Sequence, residues 1–145
     1  MSIEANRALV LKFYELMSRQ QFDAMFELMS NDATWTVAGN PATFHHAGVS
    51  SKAQRAQQLA GFVNAFVSLE QKILSTTAEE DRVAAEMRTR CVSRQGLVYE
   101  NELLVLIRCK DGRITSIYEH VDQQTTLEFE RKLQTALRGG VSVSG

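Results

Sequence analysis

The feature that most constrains the fold is a pair of apolar segments, residues 98–109 and 113–121, separated by Lys110-Asp111-Gly112. An Asp-Gly pair between two such runs is typical of a tight β-hairpin turn. The second run ends in Glu119-His120-Val121-Asp122, so ionisable groups directly follow a hydrophobic strand. Because buried polar groups are costly unless they are paired or used, this pattern predicts a cavity beside the strand.

Helical patterns come first in the chain and strand patterns follow. Helices are predicted over 3–19, over a short segment carrying Phe22, Met25, Phe26 and Met29, and from an N-cap at Ser50 or Ser51 through a stripe that reaches Val67. Strands are predicted at 33–37, 69–76, 82–93, 98–109 and 113–121, with a loop at 38–51 and a weaker helix at 127–137. Helices followed by consecutive antiparallel strands indicate an α+β architecture.

The length of 145 residues favours one domain over 1–138, with a flexible tail at 139–145. A net charge of −1, with acids and bases interspersed, gives no basic stripe for nucleic acid or a membrane surface. The first residues enter a helical pattern without an apolar signal block, so we expect a cytoplasmic protein.

Cys91 and Cys109 are the only cysteines. If they lie on adjacent antiparallel strands that turn near Gly96, Cys109 sits opposite a residue near position 82. That places it about 30 Å from Cys91, far beyond the reach of a disulfide. We therefore expect two buried, reduced thiols.

The order helix–helix–strand–loop–helix–four strands resembles the nuclear transport factor 2-like superfamily, and more closely its SnoaL-like, ketosteroid-isomerase-related branch. The resemblance spans about residues 3–125, and it depends on the order and spacing of four motifs. These are Asn31-Asp32-Ala33-Thr34-Trp35, Tyr99-Glu100-Asn101-Glu102, Asp111-Gly112-Arg113-Ile114 and Glu119-His120-Val121-Asp122. It implies a cone-shaped α+β barrel, or cystatin-like roll, in which a curved, mixed but mainly antiparallel sheet wraps over N-terminal helices. It also implies a homodimer through the outer face of the sheet, where Leu104 and Leu106 look buried.

The steroid isomerases of this superfamily carry a tyrosine and two acids at positions that correspond here to Phe13, Val37 and about Val105. None of these three can transfer a proton, so steroid isomerisation by that route is not expected. Tyr14 could replace the tyrosine only with a register shift of one. An epoxide-hydrolase arrangement would need a second matched aspartate beside Arg88 and Glu119, and none is visible.

The pairing of the last two strands stays open between two turns. A three-residue loop, favoured because Gly112 suits a left-handed position, places Glu119 opposite Leu103. A two-residue loop places it opposite Leu104. The resemblance implies a pocket lined by Tyr99, Asn101, Ile117 and Glu119.

Candidate site residues follow from this pocket. Glu119 would be the acid or base, or else a partner of Arg88 or Arg90 in a structural ion pair. Asp122 is a reserve base, or more simply a helix cap. The expected substrate contacts are Tyr99, Asn101, Trp35, Phe13 and Arg88; Arg88 faces the pocket only if the turn near Gly96 has four residues.

No metal or nucleotide site is expected. His45 and His46 sit in the loop that would edge the pocket mouth, and the three histidines show no metal-ligand spacing. The sequence therefore leaves two hypotheses: a cofactor-free isomerase or cyclase acting by proton transfer on a small apolar carbonyl compound, or a non-catalytic binding protein with the same pocket.

Overall fold

The computed structural model describes residues 2–139, which form four helices and one six-stranded sheet. In chain order the elements are α1 (Ile3–Ser18), α2 (Phe22–Glu27), β1 (Met29–Val37), β2 (Gly48–Ser51), α3 (Lys52–Asn64), β3 (Phe66–Glu79), β4 (Arg82–Ser93), β5 (Val98–Lys110), β6 (Arg113–Val121) and α4 (Gln123–Arg138). Apart from Gly139, the predicted tail lies outside the described residues.

The sheet is open and has the strand order β2-β1-β6-β5-β4-β3. Every neighbouring pair is antiparallel except β1 and β6, which run parallel. This mixed sheet, with its N-terminal helices, confirms the predicted α+β cone. No helix in residues 2–139 is long and apolar enough to cross a membrane.

Helix α1 packs against β3 and β4 and forms one side of the core. Ser2 caps its N-terminus by accepting a hydrogen bond from the Ala5 N–H. Its buried face carries Val10, Phe13, Tyr14 and Met17, whereas the predicted stripe members Leu9 and Leu16 are only partly buried. The buried face of α1 therefore lies on the side of Tyr14 rather than on the side of Leu9 and Leu16.

Three predicted boundaries were wrong in the first half of the chain. Strand β1 begins at Met29 rather than 33, and β3 begins at Phe66, so the end of the predicted third helix is strand. The segment predicted as a loop contains β2, an edge strand of four largely exposed residues without apolar alternation. Ser51 is the true cap of α3, in a capping box with Gln54.

The β4–β5 hairpin closes over residues 94–96, with Ser93 N–H donating to the Leu97 carbonyl at 2.8 Å and Gly96 in the left-handed region. This three-residue turn pairs Thr89 with Asn101 and Arg88 with Glu102. Thr89 faces the interior, and Arg88 faces the outer side of the sheet.

The β5–β6 turn has two residues, Asp111 and Gly112, both with positive φ, so the favoured three-residue loop was wrong. Lys110 pairs with Arg113, but the register shifts at Thr115, and Glu119 ends opposite Val105. Neither predicted partner of Glu119 is correct. The extra residue is a β-bulge that advances the strand by one position.

Both cysteines are buried free thiols, as predicted. Cys91 lies opposite Tyr99, and the Cys109 N–H donates to the Asp81 carbonyl, at the other end of the β4–β5 ladder.

Candidate functional site

A cavity of about 670 Å³ lies between the inner face of the sheet and helices α1, α3 and α4. The loop between β1 and β2 forms its mouth through Phe44, His45 and His46. Much of the wall is apolar, with Trp35, Leu59, Phe66, Leu103, Phe129 and Leu133 among the lining residues. Such a volume suits a small organic molecule.

Glu119 places a carboxylate on the β6 side of this cavity. It lies on β6 opposite Val105 and beside Val37 of the parallel strand β1, both of which are buried. Its side chain is 12% exposed, and its Oε2 atom lies 3.9 Å from Nη2 of Arg55. The carboxylate is therefore held inside the wall with one cationic neighbour.

Arg55 enters the cavity from the first turn of α3. Its guanidinium carbon lies 4.5 Å from the centre of the Trp35 ring, within the range of a cation–π contact. The contact with Trp35 and the pairing with Glu119 fix the position of the guanidinium group. Arg55 therefore joins the aromatic wall to the acid.

Tyr14 presents a phenol to the same cavity. The residue is 3% exposed, and its hydroxyl has no hydrogen-bond partner among residues 2–139. Burial, and next the charge of Glu119, raise the pKa of this phenol, so it stays protonated at neutral pH. It can donate one hydrogen bond to a molecule in the cavity.

Within the part of the chain that the structure describes, four buried polar atoms without a protein partner belong to residues that line the cavity: Tyr14 Oη, Trp35 Nε1, Arg55 Nε and Gln71 Oε1. Buried polar groups in folded proteins are normally hydrogen-bonded, so each exception needs an explanation. Three of these atoms are donors and one is an acceptor. Together they suit an oxygen-bearing ligand with an apolar body.

Asn101, expected to contact a ligand, is instead occupied within the protein. Its Nδ2 lies 2.7 Å from the Tyr99 hydroxyl, 3.0 Å from the Asp122 carbonyl and 3.1 Å from Thr126 Oγ1. Its Oδ1 accepts from the Glu102 N–H at 2.8 Å. The amide joins β5 to the start of α4, which corrects its expected place as a substrate contact.

Tyr99 does line the cavity, and its hydroxyl is 2.9 Å from Thr126 Oγ1. Burial raises the pKa of Tyr99. Its ring packs against Phe129 with 5.0 Å between the centroids. Tyr99 therefore contributes mainly aromatic surface to the cavity.

The other sequence candidates lie in different places. Trp35 lines the cavity, whereas Phe13 is fully buried behind it, with 5.8 Å between the ring centroids. Arg88 lies on the outer face, 63% exposed and 4.0 Å from Glu102, because the turn after β4 has three residues. This corrects its expected pocket position.

Asp122 acts as the N-cap of α4. Its Oδ1 accepts from the Thr125 N–H, and hydrogen bonds from the Thr125 side chain and backbone lower the pKa of the carboxyl group. The structure thus supports the simpler alternative, helix capping, and places the reserve base outside the cavity wall.

Sequence reasoning missed Arg55 and Gln71 and gave Tyr14 only a conditional role. A signal for Arg55 was present, since it lies four residues before the buried Leu59 on one face of α3. Gln71 gives no comparable sign, because alternation in β3 is weak.

One group of potential metal ligands converges within residues 2–139. His45 and His46 of the mouth loop meet Glu130 of α4, with their ligand atoms all within 4.8 Å of one another. His45 Nε2 lies 3.2 Å from Glu130 Oε2, and His46 Nε2 contacts Glu130 Oε1. The spacing of the histidines in the sequence does not reveal this cluster, because its third member, Glu130, is remote in sequence.

Comparison with known proteins identifies the family of most of this sequence. A model described as SnoaL-like domain matches residues 10–117. No match was found among curated protein sequences.

Similar solved structures show the same fold. PrhC from Penicillium brasilianum is 17% identical with a TM-score of 0.84, over 93% of this chain and 91% of that one. The BvnE pinacolase from Penicillium brevicompactum is 14% identical with a TM-score of 0.80, over 92% and 97%. AclR, a putative hydroxylase from Streptomyces galilaeus, is 20% identical with a TM-score of 0.74, over 87% and 84%.

Proposed function

Because the chain belongs to the SnoaL-like domain family, we propose that its cavity binds a small, largely apolar carbonyl compound and that Glu119 transfers a proton on it, as in an isomerase or cyclase. The observation that carries the proposal is the shared cavity of the Glu119 carboxylate, the Arg55 guanidinium group and the unpartnered Tyr14 hydroxyl. Two proteins of similar fold are described as a pinacolase and a putative hydroxylase.

The proposed chemistry uses these groups in different roles. Glu119 accepts a proton from the carbon next to the carbonyl. The electron pair of that C–H bond forms a carbon–carbon double bond, and the π pair of the carbonyl moves to its oxygen, which gives an enolate. The Tyr14 O–H donates to this oxygen, where negative charge develops. With an unsaturated carbonyl compound, Glu119 then returns the proton at the far carbon of the conjugated enolate, and the carbonyl forms again. In a cyclisation, the enolate carbon attacks a second carbonyl and closes a ring, and Glu119 returns its proton to the alkoxide formed there.

The test follows proton transfer without requiring the natural substrate. A panel of small ketones and 1,3-dicarbonyl compounds is incubated in D₂O with the protein, and exchange of the α-hydrogens is followed by NMR. For compounds that the protein activates, Glu119→Gln should slow exchange by roughly 100-fold or more. Glu102→Gln, on the outer face with an 81% exposed side chain, is the matched control. Full exchange by Glu119→Gln contradicts the proposal.

A second candidate is a non-catalytic ligand-binding protein with the same cavity. It is favoured by Phe13, Val37 and about Val105, which by the resemblance correspond to the steroid-isomerase tyrosine and acids; these three residues are at most 6% exposed. This candidate predicts saturable ligand binding without α-hydrogen exchange. It also predicts that Glu119→Gln binds as tightly as the unsubstituted protein.

We also propose a homodimer through the outer face of the sheet. Leu104 and Tyr118 are 58% and 44% exposed there in the single chain, on the neighbouring strands β5 and β6. Leu104 therefore does not have the burial expected from sequence unless a second copy covers it. Sedimentation equilibrium should give a dimer, and Leu104→Glu should give a monomer with an unchanged far-UV circular dichroism spectrum.

A further inference from the structure

The cluster His45–His46–Glu130 lies at the mouth of the cavity and takes no part in the proton transfer proposed above. Each imidazole contacts a different oxygen of the same carboxylate: His45 Nε2 meets Oε2 and His46 Nε2 meets Oε1. All three residues line the cavity. The cluster therefore lies where the cavity opens to the surface of the protein.

The loop that carries the two histidines is held independently of them. Phe44 is 1% exposed and anchors the loop, and its N–H donates to the Asn40 carbonyl at 2.8 Å. Gln123 of α4 donates from Nε2 to the Ala38 carbonyl at 3.0 Å. Gly39 leaves room for this amide, since a Cβ there would lie 2.4 Å from Gln123 Nε2. The loop and α4 are thus fixed together before any ligand binds to the histidines.

Two imidazole nitrogens and a carboxylate form a set of donors that suits borderline divalent transition metals. Ligand atoms at about 2.0–2.1 Å from a tetrahedral zinc ion lie about 3.3 Å from one another. The 3.2 Å between His45 Nε2 and Glu130 Oε2 is close to that separation, and the ligand atoms of all three residues lie within 4.8 Å of one another. Three protein ligands leave a fourth position for water or for an oxygen of a molecule in the cavity, as in open zinc sites.

We propose that His45, His46 and Glu130 bind one divalent transition-metal ion of the zinc class at the mouth of the cavity. The ion cross-links the mouth loop to α4 and presents an open coordination position toward the cavity. The alternative is a hydrogen-bonded contact between the histidines and Glu130 without affinity for metal. Both readings use the same residues, and they differ in what the protein does with added metal.

The test measures metal binding by the whole chain after treatment with a chelator and removal of the chelator. Isothermal titration with Zn²⁺ should give one ion per chain. Titration with Co²⁺ should give the intense visible absorption of a tetrahedral or five-coordinate site. His46→Ala and Glu130→Gln should each weaken Zn²⁺ binding by at least about tenfold, since loss of even an outer-shell partner costs that much.

His120→Ala is the matched control, because His120 is the one remaining histidine and lies exposed on β6. It should bind Zn²⁺ like the unsubstituted protein, as should Glu119→Gln, so the metal test is independent of the proposed reaction. Thermal melts confirm that each variant is folded and should show a Zn²⁺-dependent rise in Tm that His46→Ala loses. Absence of one-to-one binding, or equal losses in His120→Ala and His46→Ala, overturns the proposal.

Discussion

Glu119 lies directly opposite Val105 in the β5–β6 ladder, one position beyond where the hairpin turn alone would place it. The turn pairs Lys110 with Arg113, and a regular ladder from that pair would set Glu119 opposite Leu104. Leu104 is 58% exposed and Val105 is 1% exposed. The bulge at Thr115 therefore decides whether the carboxylate faces the cavity or the outer surface.

The bulge predicts different effects for two deletions in β6. Deleting Thr115 removes the extra residue and leaves a regular ladder in which Glu119 still lies opposite Val105, so the free energy of unfolding should stay close to that of the unsubstituted protein. Deleting Tyr118, beyond the bulge, turns Glu119 to the outer face and His120 inward without a partner. That deletion should lower the free energy of unfolding by about 2 kcal/mol. Urea denaturation measures both, and equal stability of the two variants would contradict the assigned bulge.

The substitution Tyr14→Phe tests whether the Tyr14 hydroxyl binds a ligand or stabilises the fold. The hydroxyl has no partner in the described range 2–139, so its removal leaves no group there unpaired, and the free energy of unfolding should not decrease. If the phenol donates to the developing enolate, α-hydrogen exchange should slow by roughly 100-fold. Denaturation and the D₂O assay provide the two readouts. A destabilised variant with normal exchange would contradict the assigned role.

Asn101→Ala should give the opposite pattern. Its amide links Tyr99, Thr126 and the Asp122 carbonyl in a buried position, and truncation leaves several of these groups unsatisfied. We expect a loss of about 2 kcal/mol in the free energy of unfolding. Glu102→Ala, the neighbour on the exposed face, should lose little. Unchanged stability with weakened ligand binding would restore Asn101 as a substrate contact.

The two thiols should make the protein less stable in alkali. Burial raises the pKa of Cys91 and of Cys109 to about 11, whereas an unfolded thiol ionises at about pH 8.5. The stability from the neutral buried thiols is thus fully present below about pH 8.5 and is lost as the pH rises toward 11. Urea denaturation at pH 7 and pH 10 should show this fall, and a variant with Cys91→Ala and Cys109→Ala should show a smaller one.

Thiol labelling provides a second measurement of the same burial. Ellman's reagent should react slowly with the native protein and rapidly with two thiols in guanidinium chloride. Fast reaction of the native protein at pH 7 would contradict the burial of both residues.

The sequence predicted the order of elements because that order depends on local periodicity, capping and turn residues. Ser51 caps α3, and Asp111-Gly112 forms the last turn. The strand register was harder to predict from the sequence. One extra residue at Thr115 changes the face on which every later side chain of β6 lies, and the apolar pattern does not reveal it.

Contacts between distant segments were the other source of error. Arg88 faces outward because the hairpin turn that follows β4 has three residues rather than four, a difference that composition does not determine. The meeting of His45 and His46 with Glu130 depends on how α4 packs beside the mouth loop, 84 residues away. The inward position of Tyr14 could have been anticipated from Val10 and Met17, which share its side of α1.

The parallel pairing of β1 with β6 also has a consequence for biosynthesis. Val37 is made early and Glu119 late, yet the two are direct neighbours in the ladder. During synthesis, the edge of β1 that pairs with β6 stays without its partner until more than eighty further residues have left the ribosome. Pairings this distant in sequence form slowly and expose aggregation-prone edges. The part of the cavity wall that carries Glu119 should therefore be among the last to assemble during translation. Truncated products that end before β6 should bind strongly to chaperones.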